Sequence, residues 1–143
     1  MVWFTDSSKT ERGDGAAAWR WGSGFEVVCR LNTDSTVFQA EVRAILECAQ
    51  AMLEGDCMEK PVMICSDSQA ALGALYGILV RSKEVLRCRE LLQALLRANS
   101  VRLPWVPGHS GAAGNENVDR LTNREAEGVR ARRCGVDLPG CYL

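Results

Sequence analysis

The first 31 residues hold three short strand-like runs with no room for a helix between them, and later strand-like runs follow helical stripes. Residues 2–6 form the first run, and a polar loop is expected over 7–15. Runs at 16–21 and 25–31 flank Gly22-Ser23-Gly24, a hairpin turn whose glycines accept positive φ. Strands this close in sequence pair as an antiparallel meander, because a parallel connection needs a dozen or more residues. Residues 36–54 then place Phe38, Val42, Ile45, Ala49 and Met52 at helical spacing. Thr33-Asp34-Ser35 offers an N-cap for this helix and Gly55 ends it. Pro61 precedes a fourth run at 62–65, after which Ser66 or Asp67 caps a short helix to Tyr76. Ser82 caps a helix ending near Asn99, with a stripe of Val85, Leu86, Leu92, Leu95 and Leu96. A fifth run, 101–106, contains Pro104 and suits an edge or bulged strand. A Gly-rich loop at 107–114 and a final helix at 115–130 follow. Strands separated by helices add in parallel, so the order β-β-β-α-β-α-α-β-α predicts an α/β fold. Its sheet is mixed and five-stranded, three antiparallel N-terminal strands plus parallel ones, flanked by helices.

Four acids sit where a lone charge is a liability: Asp6, Glu41, Asp67 and Asp119. Asp6 ends the first apolar run, and Asp67 follows Val62-Met63-Ile64-Cys65. Glu41 lies inside the stripe of the first helix, and Asp119 lies in the early turns of the last. A buried, unpaired carboxylate costs several kcal/mol or takes up a proton, so such acids call for cations. Each has an ordinary reading as well. Asp6 can cap a turn, Asp67 can cap a helix, and Glu116 rivals Asp119. Most helical glutamates, such as Glu47 and Glu54, are solvated. Convergence of acids from separate elements with few basic neighbours favours divalent metal, and oxygen-only donors favour Mg²⁺ or Mn²⁺ over zinc. Ligands in open α/β sheets bind at the carboxyl ends of strands near a topological switch, where Asp6 and Asp67 are expected.

The length of 143 residues fits one domain over 1–131, with 132–143 as a C-terminal tail or truncated linker. No apolar run approaches the roughly 20 residues of a membrane span, and no secretory signal opens the chain. The seven cysteines are odd in number, scattered and without C-x-x-C spacing. They read as small hydrophobes in a reducing intracellular compartment, cytoplasm or nucleus. Structural zinc is disfavoured, since His109 is the sole histidine. The formal net charge of −1 is not that of a strong stand-alone nucleic-acid binder. Trp3, Trp19 and Trp21 lie in or beside strands, as does Trp105, and core packing is expected for most of them.

Four motifs in order carry a family resemblance. They are Phe4-Thr5-Asp6-Ser7-Ser8, Gln39-Ala40-Glu41, Cys65-Ser66-Asp67-Ser68-Gln69, and Trp105-Val106-Pro107-Gly108-His109-Ser110-Gly111 with Gly114-Asn115-Glu116-Asn117-Val118-Asp119. Together they resemble type 1 ribonuclease H, and the wording is most like the domains of non-LTR retrotransposon polyproteins. The resemblance implies a ribonuclease H-like fold and endonucleolytic cleavage of the RNA strand of RNA–DNA hybrids by a two-metal-ion mechanism. It implies two Mg²⁺ ions, with Mn²⁺ as a substitute, held by Asp6, Glu41, Asp67 and Asp119. It assigns an auxiliary catalytic role to His109 and hybrid contacts to Ser8, Gln39, Gln69 and Asn115. It implies an attached reverse transcriptase domain as partner, and no membrane. Two departures stand out. The family's glycine after the first Asp is Ser7 here, which is expected to tighten substrate approach. The segment before Ser82 is short, so the basic protrusion of bacterial relatives is absent, and the isolated domain is expected to bind hybrid weakly. A start at Met1 directly before a strand, and the Arg-Gly-Pro tail, fit a piece of a polyprotein or a short independent protein.

Alternatives remain open at this stage. One is a catalytically inactive ribonuclease H-like module that tethers or supports a polyprotein. Another is a self-sufficient cellular ribonuclease H. A transposase core or exonuclease on the same fold would use a different set of acids.

Overall fold

In the computed structural model, which describes residues 1–10, 13–32, 34–80 and 82–107 but not side chains 8–10, 13 and 14, strand β1 (Val2–Thr10) outruns its apolar residues. It pairs antiparallel with β2 (Gly13–Arg20), from Trp3↔Arg20 to Thr10↔Gly13. The expected polar loop over 7–15 is therefore mostly ladder. Backbone pairing is indifferent to side-chain polarity, so it continues after the hydrophobic alternation has stopped. The helix expected at 115–130 lies outside the described residues, as do His109, Asn115 and Asp119. Strand β3 (Glu26–Leu31) pairs antiparallel with β2. Gly22 (φ +77°) and Gly24 (φ +65°) make the turn between them, closed by Arg20 N donating to Phe25 O at 2.9 Å.

Helix α1 (Val37–Glu54) starts at a reciprocal cap. Thr36 Oγ1 accepts from Gln39 N at 3.1 Å, and Gln39 Oε1 accepts from Thr36 N at 2.8 Å. The N-cap is thus Thr36, one residue beyond the triplet expected to supply it, because only Thr36 has a Gln three residues on to complete the pair. Gly55 ends the helix, as expected. After α1 come β4 (Pro61–Cys65), α2 (Gln69–Tyr76), α3 (Lys83–Leu96) and β5 (Ser100–Arg102). Ser68 caps α2 by accepting from Ala71 N at 3.1 Å, so neither Ser66 nor Asp67 is its cap. Helix α3 ends at Leu96, short of Asn99, and Leu95 O collects the last turn, accepting from Ala98 N at 3.2 Å, Asn99 N at 3.0 Å and the Asn99 side chain at 3.1 Å. Among the described residues no helix is long and apolar enough to cross a membrane.

The sheet order is β3-β2-β1-β4-β5, with β4 parallel to β1 and β5 parallel to β4. This is the predicted five-stranded mixed sheet with the fifth strand at an edge, but β5 ends at Arg102, so Pro104 lies outside the strand expected over 101–106 and only an isolated bridge at Trp105 follows. Helix α1 packs on β1 and β2 on one side and on α3 on the other. Trp3, Ala18, Val27, Val62 and Ile64 of the sheet meet Val42, Ile45, Leu46 and Ala49 of α1, and Val85, Cys88, Leu92 and Leu95 of α3 complete the core. Cys48, Cys65 and Cys88 are buried free thiols, in keeping with their reading as small hydrophobes. The tryptophans divide. Trp3 is buried and Trp19 packs beside Phe4 against Ala17 and Val28, but Trp21 and Trp105 are about half exposed. Trp21 lies just past the end of β2, and Trp105 lies past the end of β5, where less of the sheet remains to cover them.

Sandwiched this way, α1 is buried on every side from Ala40 to Ala49. Three charged residues are caught in that stretch. Glu47, expected to be solvated, is only 3% exposed. It accepts from Arg43 Nε at 2.6 Å, and Arg43 Nη1 stands 3.7 Å from Glu84 Oε1 on α3. One guanidinium thus serves two buried acids across the α1–α3 contact. Burial pushes the Glu84 carboxyl up to about 7, with Arg43 opposing that rise and Glu47 adding to it. The third charge in the stretch is Glu41, which has no cation in contact among the described residues.

Candidate metal centre

The parallel pairing of β1 with β4 runs only from Val2↔Met63 to Phe4↔Cys65. Thr5 Oγ1 donates to Cys65 O at 3.0 Å and closes that ladder. Beyond this point β1 continues with β2 alone, while the chain leaving β4 turns toward the far edge. Ser66 bridges to Trp105, with Ser66 N donating to Pro104 O at 3.2 Å and Val106 N donating to Ser66 O at 2.9 Å. Trp105 Nε1 donates to the backbone oxygen of Asp67 at 3.0 Å. A cleft opens where β1 loses its parallel neighbour, which is where open α/β sheets place ligands.

Asp6, Glu41 and Asp67 converge there, each offering an oxygen within 4.8 Å of the others. They come from β1, α1 and the β4–α2 connection. Asp6 differs from its expected placement: it lies within β1, which runs on to Thr10, and it is the β1–β4 pairing that ends beside it. Asp67 lies just past the end of β4, as expected. Asp6 is 4% exposed and Glu41 6%, while Asp67 is half-buried.

Hydrogen bonding divides each buried carboxylate into a held oxygen and an open one. Ser7 N donates to Asp6 Oδ1 at 2.8 Å, and Ser7 Oγ donates to Glu41 Oε1 at 2.5 Å. Asp6 Oδ2 and Glu41 Oε2 are buried and accept no hydrogen bond among the described residues. Burial pushes the Glu41 carboxyl up to about 7, the Ser7 hydrogen bond pulls it down, and the nearby Asp67 charge raises it further. Two full charges 4.8 Å apart repel by about 3 kcal/mol at an effective dielectric constant of about 20. The cluster must therefore take up protons or a cation. Acceptor-only oxygens suit hard divalent ions such as Mg²⁺ and Mn²⁺, and the two open oxygens are buried where such an ion would compensate them.

The other residues singled out from the sequence fall differently. Gln39 is half-buried, and its side-chain oxygen is engaged at the α1 cap. Gln69 is exposed at the first turn of α2, two residues from Asp67. Ser8 pairs with Gly15 through its backbone, and its side chain is outside the description. His109, Asn115 and Asp119 lie beyond the described residues, so their relation to the cluster is not part of this geometry. The sequence reading missed the Arg43–Glu47–Glu84 group, although Arg43 and Glu47 are four apart on a largely apolar helix. It also missed that the Ser7 hydroxyl points at Glu41. A family model described as RNase H matches residues 1–127, and the chain belongs to the RNase H family.

Proposed function

We propose that this chain is a metal-dependent endoribonuclease that hydrolyses the RNA strand of RNA–DNA hybrids, and that it acts during the reverse transcription of a retrotransposon. The observation that carries this reading is the pair of buried oxygens without partners among the described residues, Asp6 Oδ2 and Glu41 Oε2, on a three-acid cluster at the open end of the β1–β4 ladder. A phosphodiester is itself an anion and is repelled by a cluster of three carboxylates. Divalent ions, when bound, supply the charge that offsets this repulsion and the Lewis acidity that aids the attacking water and the leaving oxygen. Asp6, Glu41 and Asp67 would hold them, joined by Asp119 as a fourth acid.

The chain's own contribution is rigid placement. Asp6 is set by strand pairing on the β2 side, and Glu41 by a helix buried on all sides. Asp67 is set by the bonds that Ser66 and Trp105 make across the cleft floor. Groups held on rigid elements avoid reorganisation during reaction. His109 acts as an auxiliary proton carrier or product-release group, since a histidine exchanges protons near neutral pH. Ser8, Gln39, Gln69 and Asn115 contact the hybrid, where hydroxyl and amide groups suit 2′-hydroxyls and minor-groove edges. An attached reverse transcriptase domain would supply grip on the hybrid that a chain of net charge −1 lacks.

The test compares labelled RNA–DNA hybrid, single-stranded RNA and double-stranded DNA, each with Mg²⁺, Mn²⁺ or EDTA. Hybrid-only cleavage that needs the ions is expected. Asp67→Asn keeps the side-chain shape and should abolish cleavage with an unchanged circular dichroism spectrum. Hybrid cleavage that persists in EDTA, or near wild-type turnover by Asp67→Asn, would refute the assignment. A folded wild-type chain that binds hybrid without cutting it would favour a tethering module instead.

A further inference from the structure

We infer that Ser7 is a positioning residue that selects which oxygens of Asp6 and Glu41 face the metal, a proposal that rests on the metal-dependent reading above. One residue reaches both acids. Its backbone N–H holds Asp6 Oδ1 at 2.8 Å and its hydroxyl holds Glu41 Oε1 at 2.5 Å. The remaining oxygens, Asp6 Oδ2 and Glu41 Oε2, are the buried ones without partners among the described residues. The division is the same on two elements far apart in sequence, and Ser7 makes both contacts.

The two contacts differ in what sustains them. Any residue but proline at position 7 keeps the backbone N–H. Only a hydroxyl at this position reaches Glu41. Alternate residues of a strand share a face, so Ser7 points to the same side as Trp3 and Thr5, the side that α1 covers. The hydroxyl therefore faces the helix. Its one proton is committed to a carboxylate, which leaves none to donate to substrate. The expected role in tightening substrate approach gives way to a role behind the ligand.

Glu41 needs such a hold more than Asp6 does. Its carboxylate ends a longer side chain, and its terminal torsion is broad and roughly two-fold. Without the hydroxyl, the two oxygens of Glu41 exchange places freely, and ordering falls to the incoming ion. Partners of this outer kind typically change metal affinity by about 10- to 100-fold when removed. A change of that size at Ser7 would act through Glu41, with no contact to the ion itself.

The experiment uses the full chain and Mg²⁺ as the probe. The Mg²⁺ concentration giving half of the maximal rise in melting temperature reports binding without catalysis, and the Mg²⁺ midpoint of hybrid cleavage is read beside it. Wild type, Ser7→Ala, Ser7→Gly, Ser7→Thr and Asp67→Asn are compared, with melting in EDTA as the check on folding. Ser7→Ala and Ser7→Gly should each raise both midpoints by about 10- to 100-fold, with most of the lost rate recovered at saturating Mg²⁺. Ser7→Thr keeps the hydroxyl on a strand-compatible residue and should stay near wild type. If Asp67→Asn abolishes the Mg²⁺ response while Ser7→Ala leaves the midpoints unmoved, the positioning role is wrong and the metal reading stands. A Ser7→Thr variant as weakened as Ser7→Ala also overturns the proposal, because the hydroxyl would then not be the agent. An undiminished Mg²⁺ response in Asp67→Asn would instead sink the metal reading itself.

Discussion

Replacing Glu41 with glutamine should stabilise the metal-free protein, and should do so only above mildly acidic pH. In the fold the Glu41 carboxyl is raised from 4.5 to about 7, chiefly by burial. The folded chain thus holds this proton more tightly than the unfolded chain does. Stability from this group is fully present below about 4.5 and is lost as pH rises through about 7. At ~1.4 kcal/mol per pH unit, that interval amounts to about 3 kcal/mol. Glutamine removes the titration. Its carbonyl oxygen can still accept from the Ser7 hydroxyl, and its amide can donate toward Asp6 or Asp67. Burying an amide has its own cost, so a net gain of about 1–2 kcal/mol at pH 7.5 is expected. For a domain of this length that is a rise of about 3–10 °C in Tm. The assay is thermal unfolding followed by circular dichroism in EDTA at pH 5 and pH 7.5, for wild type and Glu41→Gln. The Tm difference should be near zero at the lower pH and positive at the higher one. Adding Mg²⁺ at pH 7.5 should raise wild type and leave the variant nearly unmoved, since a ligand stabilises only the state that binds it. A difference that does not change with pH, or a variant less stable at both values, would refute the argument that Glu41 is a buried, uncompensated acid.

The Arg43 site should respond in the opposite sense. Arg43→Met strands Glu47 and Glu84 in the α1–α3 contact and should cost about 3–5 kcal/mol in urea unfolding at pH 7.5. Part of that loss should return near pH 5.5, where Glu84, already raised to about 7 by burial, is protonated; a loss below about 1 kcal/mol would show that the group is not a buried charge cluster. His109→Ala should slow hybrid cleavage by about 10²–10⁴-fold without eliminating it, and single-turnover kinetics should show whether chemistry or product departure is slowed. A His109→Ala variant as inactive as Asp67→Asn would end the auxiliary assignment.

Strand and helix identities were legible wherever hydrophobic periodicity continued. The meander and the parallel addition of β4 and β5 follow from connection lengths, whereas β5 stops at Arg102, short of Pro104. Asp6, Glu41 and Asp67 were legible as a set because each is an acid where an apolar residue or a plain turn would be the cheaper choice. The extension of β1 to Thr10 was not legible, because backbone ladders leave no mark on side-chain polarity. Nor was the N-cap at Ser68, where three neighbouring residues, Ser66, Asp67 and Ser68, are all competent caps and only the backbone path decides among them.

Tertiary structure alone decided the fate of the charges on α1. Sequence places Glu41, Arg43 and Glu47 on one short stretch and says nothing of which helix lies across from them. Packing against α3 brings Glu84 to Arg43 and commits that cation to two acids on the far side of the helix from the cleft. Packing against β1 brings Ser7 to Glu41, with a hydroxyl and no positive charge. Which acid is neutralised and which is left open is a property of neighbours distant in sequence. Electrostatic energy depends on separation in space, and the chain order of these residues does not contain it.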